Sequence, residues 1–187
     1  MFDEDIKIAD FSDRSKKISA KSKKTAQSAH EEYDLENAKG NTVRAKEFGA
    51  GLAASLIANL DRFSAGEEES ENTEIAVQRG ILMTFAAIIC IENEIKSSVV
   101  SQIAENSFNE ELQKKVPQLY SAVGQSGALS FYYLAHRRGG DIERRIGQTF
   151  AMLCSHDGDS IYQELGEAIY CWFLSFAAKK LKDSGIV

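Results

Sequence analysis

Proline is almost absent: Pro117 is the single one among 187 residues. Proline breaks helices and crowds the turns of all-β domains, so its scarcity between long apolar-periodic stretches argues for helices over many short strands. Cysteine is scarce too. Cys90, Cys154 and Cys171 are odd in number and lack paired spacing, which excludes a disulfide framework. Each sits in an apolar segment, where a reduced cysteine behaves as a small hydrophobe. Long hydrophobic runs are missing: the most apolar one, Ile81 to Ile91, stops at Glu92, well short of the ~20 residues a bilayer span needs. The opening MFDEDIKIAD is acidic and has no apolar core of the kind a secretory signal carries. These absences point to a cytoplasmic protein without a transmembrane segment.

The motifs of common chemistries are missing as well. No E-x-x-H pair marks a di-iron bundle, and no C-x-x-C marks zinc or redox work. No P-loop and no G-x-G-x-x-G occurs, so no cofactor is expected. The formal net charge of -6 argues against a surface that tracks nucleic acid, and nucleic acid is not an expected partner. None of the three cysteines has an activating neighbour in sequence.

What is present reads as a folded helical domain behind a charged arm. Hydrophobic residues make up 43% and charged residues 27%, the balance of a globular protein. Residues 1–30 are acidic at first, then basic from Arg14 to Lys24, and offer little apolar surface to offset the entropy of ordering. They are expected to form a mobile or weakly helical arm. Residues 31–187 are expected to form an all-α, single-domain antiparallel bundle of about five or six helices.

The periodicities carry that expectation. Phe48, Leu52, Leu56, Leu60 and Phe63 make one helical stripe over 31–63. Ile81, Phe85, Ile88, Ile95, Val99 and Ile103 share a face over 73–105. Ser107 to Glu110 reads S-x-x-E, the capping box of a short helix that Pro117 ends. A helix over 117–138 carries Tyr120, Val123, Gly124, Gly127, Phe131 and Leu134 on one face and looks apolar around much of its girth, as a central or partner-facing helix does. Gly139-Gly140 ends it, and Asp141 caps the next, whose stripe is Ile142, Ile146, Phe150 and Leu153. Another capping box, S-x-x-Q from Ser160, opens the last helix. It is expected to bury Tyr162, Leu165, Ile169, Trp172, Phe173 and Phe176.

Several features invite a functional reading. Glycines 49, 51, 80, 124, 127, 147 and 166 fall inside helical patterns at a cost of up to about 1 kcal/mol each against alanine, which close helix crossings would offset. A weak echo, Val123-Gly124-Gln125, Ile146-Gly147-Gln148 and Leu165-Gly166-Glu167, reads as repeated helix packing. Glu92 falls within an apolar stripe and is the core polar candidate, either paired, protonated or lining a cavity. Arg137, Arg138, Arg144 and Arg145 are half of the chain's eight arginines and flank a glycine turn before a fresh helix N-terminus, a place for a small phosphate or carboxylate. His156-Asp157, with His136 upstream and Asp183 downstream, resembles the ligand set of helical metal-dependent phosphohydrolases of the HD type. That resemblance implies a metal on His136, His156 and Asp157 and cleavage of a phosphate ester.

The leading expectation is a non-enzymatic interaction or regulatory module that self-associates or binds a protein partner. Nine of seventeen aromatics lie between Phe131 and Phe176, more apolar surface than one bundle of this size need bury internally. A small anionic ligand on the arginine cluster and the metal-dependent hydrolase are the alternatives.

Overall fold

The structure, a computed structural model, describes residues 28–63 and 71–186. The charged arm up to residue 27, and Gly66 with the three glutamates after it, lie outside the described residues. Among the described residues the chain is all-helical and has no strand. Those residues form eight helices where five or six were expected: α1 (28–38), α2 (Asn41–Phe63), α3 (Glu71–Glu94), α4 (Ser98–Lys115), α5 (Pro117–Gln125), α6 (Ala128–Arg137), α7 (Ile142–Leu153) and α8 (Ser160–Ser184).

The higher count has local causes. The apolar period of 73–105 runs unbroken through Ile95 and Val99, yet the backbone leaves the helix at Ile95. Ser97 adopts an extended conformation and accepts the Val100 N–H at 3.3 Å, capping α4. The same hydroxyl donates to Glu32 of α1 at 2.8 Å, so the break is also an inter-helix joint. Gly127 stands at φ +67°, a left-handed conformation that costs glycine little, and divides 117–138 into α5 and α6. Ser107 begins no helix: it lies within α4, and its hydroxyl donates to the Lys46 carbonyl of α2 at 2.8 Å. Asp141 caps α7 as expected, through the Arg144 N–H at 3.2 Å. The cap of α8 is Asp159, one residue before the expected Ser160.

The centre is α3, not 117–138. Twelve consecutive residues, Gly80 to Ile91, are buried, and α3 packs against α2, α4, α5, α6, α7 and α8. By length and composition Glu74–Glu94 is apolar enough to cross a membrane, although the sequence expectation excluded any such span. It is 67% buried inside the protein, as a core helix surrounded on all sides is. The other large contacts join α2 to α4 and α7 to α8. Both are close crossings at glycine. A β-carbon on Gly49 would strike the Ala104 carbonyl of α4, and one on Gly147 would strike the Gln163 carbonyl of α8. Two members of the weak sequence echo, Gly147 and Gly166, thus meet at one helix pair, while Gly124 faces open space.

A polar joint fixes the start of the domain. Glu36, only 6% exposed, accepts from Lys39 at 2.8 Å and from Asn41 at 2.6 Å. Arg44 reaches the Gly185 carbonyl at 3.3 Å and ties α2 to the end of α8.

Candidate functional site

The last helix buries a different face from the one its hydrophobicity marks. The residues α8 turns inward are Gly166, Tyr170, Phe173, Ala177 and Leu181. Ile161, Leu165 and Trp172, of which the last two were expected in the core, are 72%, 41% and 43% exposed. At 3.6 residues per turn these three fall within about 40° of one another, so they form one outward stripe. Phe176 lies half-buried along its edge, stacked on Phe173 at 5.8 Å. The cause is the glycine crossing. A β-carbon on Gly166 would come within 2.5 Å of Phe150, so the Gly166 side of α8 must face α7, and the stripe on the other side of the helix is left outward.

The same inversion occurs in α5 and α6. The buried residues there are Leu119, Ala128, Tyr132 and Ala135, whereas Tyr120, Phe131 and Leu134 are exposed. The face that the sequence marks as apolar in 117–138 is therefore largely the solvent face. Tyr132 alone puts a large ring into the centre, stacked on Phe85 at 5.4 Å, and burial pushes its phenol well above the usual range.

The arginine cluster is partly assembled. Gly139 and Gly140 both take left-handed conformations and bring the end of α6 round to the start of α7. Arg137, Arg138 and Arg144 are exposed. Arg145 is half-buried and folded back toward Gly140, and its Nη1 is buried with no hydrogen-bond partner among the described residues.

Glu92 is not a core carboxylate. It is exposed, near the end of α3, and accepts a hydrogen bond from the Tyr133 hydroxyl of α6 at 3.1 Å. The apolar stripe misleads because α3 emerges from the core one residue earlier, after Ile91. Glu105 of α4 lies near enough to feel its charge: burial, and then Glu92, raise the Glu105 carboxyl above its ordinary value. Sequence reasoning did not pair Glu92 with Glu105 or Tyr133, because the three come from three helices.

The structure does not gather the hydrolase-like residues. Among the described residues no group of three or more His, Cys, Asp or Glu side chains is placed to hold a metal ion. His136 packs edge-on against Phe85 at 6.2 Å, and His156 stacks on Tyr162 at 3.7 Å. Asp157 is exposed in the turn before α8, and Asp183 is exposed in the last turn of α8. A cavity of about 440 Å³, lined by apolar side chains of α2, α3 and α5 with Arg79 and Lys115, was also not foreseen. Its walls are distant in sequence and no single motif marks them.

Comparison of the chain with family models, curated protein sequences and solved structures produces no match.

Proposed function

We propose that this chain is a non-enzymatic interaction module whose working surface is the outward apolar face of α8. The observation that carries the reading is the exposure of Ile161, Leu165 and Trp172 on one stripe of a long helix. Scattered exposed hydrophobes are ordinary, but an aligned row that includes a tryptophan is what a helical partner covers. A reducing, cytoplasmic setting belongs to the same reading, supported by three cysteines that remain free thiols.

The test is a photo-crosslinking amino acid at position 165 in cells that express the full chain, compared with one at Gln113, an exposed polar site on α4. The reading expects a protein adduct from 165, absent at 113 and lost on Trp172→Ser. No adduct, or equal adducts from both positions, would overturn it.

A second reading is favoured by one atom, the buried and unpartnered Nη1 of Arg145 beside the double-glycine turn. It makes Arg137, Arg138, Arg144 and Arg145 a site for a small phosphate or carboxylate. Titration with inorganic phosphate and pyrophosphate tests it. Binding should vanish in an Arg144→Ala/Arg145→Ala variant that still folds, and unchanged binding in that variant removes the site.

A further inference from the structure

We propose that the partner of the α8 face is a second copy of this chain, packed with the two α8 helices antiparallel about a two-fold axis near Trp172. This rests on the interaction reading above and names its partner. The argument is the placement of charge along the stripe. On the N-terminal side of Trp172 the exposed charge on this face of α8 is Glu164; on the C-terminal side Lys179 and Lys182 are exposed. At about 1.5 Å rise per residue, Glu164 stands about 12 Å before Trp172, Lys179 about 10 Å after it and Lys182 about 15 Å after it. At about 100° per residue Glu164 and Lys182 share one edge of the stripe, and Lys179 lies on the stripe itself. Asp183, also exposed, lies on the stripe too, about 20° from Trp172 and about 16 Å beyond it, so an antiparallel copy brings it level with Ile161 at the very end of the contact.

A two-fold axis across the pair of helices keeps like edges together and reverses direction. Superposed at Trp172, it sets Glu164 of each copy between the levels of Lys179 and Lys182 of the other. Acid meets base twice, while the Trp172 rings meet at the axis and Leu165 lies level with the Lys179 stem. Parallel pairing, about an axis along the helices, would put the two Glu164–Lys182 edges on opposite sides of the pair, so that no Glu164 would face a Lys182 across it. It would also align the two helix dipoles, which the antiparallel pair opposes. Within one chain Glu164, Lys179 and Lys182 take part in no ion pair among the described residues, so all three are available to a neighbour.

Charge reversal tests this on the full chain by sedimentation velocity and native mass spectrometry. The parent should be a dimer. Each substitution alters two symmetric contacts, so Glu164→Lys and Lys182→Glu should each weaken self-association about tenfold. Circular dichroism should show both variants melting cooperatively, as the parent does. An equal mixture of the two should form a mixed dimer more readily than either pairs with itself, because each then supplies the charge the other lacks. Should Lys182→Glu fail to fold, Lys179→Glu takes its place in the mixing experiment; should Glu164→Lys fail, Glu164→Arg does. A parent that stays monomeric, a dimer indifferent to both reversals, or two folded variants that do not pair would each overturn the inference. A monomeric parent that still gives an adduct from position 165 with another protein removes only the second copy as partner. Absence of any adduct removes the interaction reading as well.

Discussion

Gly147 on α7 and Gln163 on α8 approach so closely that a single methyl group on the glycine would run into the Gln163 carbonyl oxygen. The neighbouring contact, Gly166 against Phe150, is equally tight. This crossing decides which face of α8 points inward and which is left to solvent.

Gly147→Ala should therefore destabilise the protein by about 1–3 kcal/mol, because backbone cannot yield as a flexible side chain does. Gly124→Ala, in α5 with open space around it, should stabilise by up to about 1 kcal/mol through helix propensity alone. Urea unfolding midpoints of the two variants should move in opposite directions. A neutral Gly147→Ala would mean that the helices do not cross at this residue.

The Glu36 joint should give the fold an acid limb. Hydrogen bonds from Lys39 and then Asn41 hold the Glu36 carboxyl below its ordinary value of 4.5. The stabilisation is fully present above that value and is lost as pH falls through the lower, folded one. Glu36→Gln should be less stable than the parent at pH 7, and the gap should close in strong acid. A gap that does not change with pH would assign the role of Glu36 to shape and not to charge.

Glu105 should behave with the opposite sign. Burial and the charge of Glu92 raise its carboxyl, so ionisation costs folding energy that is absent in acid and grows as pH rises through the ordinary value. Glu105→Gln should be more stable than the parent at neutral pH and indistinguishable from it near pH 3. Thermal melts across that range measure how the gap opens.

Thiol labelling of the native protein should rank the cysteines. Cys90 and Cys154 are 1% and 4% exposed, and burial pushes their thiols up to about 11 and about 12. Cys171 is half-buried and its thiol is raised as well, chiefly by burial. Iodoacetamide near pH 7.5 should modify Cys171 first and slowly, and the other two only when the fold opens. Peptide mass mapping over time reads this directly. Early labelling of Cys154 would contradict its buried place at the end of α7.

Trp172 is the only tryptophan, so its fluorescence reports the proposed interface without interference. At high concentration its emission should be blue-shifted and guarded from acrylamide. Dilution should shift it to the red, and the Glu164→Lys variant should turn red at a higher concentration than the parent. Emission independent of concentration in the parent would argue against a dimer at this face.

Some of this architecture was legible in the residues. The stripes Phe48, Leu52, Leu56 and Ile146, Phe150 are buried as their spacing implies, because those helices meet neighbours through large aliphatic and aromatic side chains. The arginine turn and its Asp141 cap were legible too, since both depend on neighbours in sequence. The division at Ser97 was hidden because apolar spacing continues across it, and the division at Gly127 because a glycine in a helical pattern reads equally as a packing site. Glu92 was misplaced for the same reason: a helical wheel records angle but not where along its length a helix leaves the core.

Helical class follows from local chemistry: few breakers, long apolar periods and caps at the right offsets are properties of each segment alone. The choice of inward face on α8 is not such a property. Transfer energy ranks Leu165 and Trp172 above Gly166 for burial, but the close approach of Phe150 needs Gly166 on the inner face, beside Tyr170, Phe173 and Leu181, and that contact exists only when both helices are present. What remains outside, Ile161, Leu165 and Trp172 in a row with Lys179 and Asp183 and with Glu164 and Lys182 along one edge, is the consequence of that packing and the surface the proposed partner would cover.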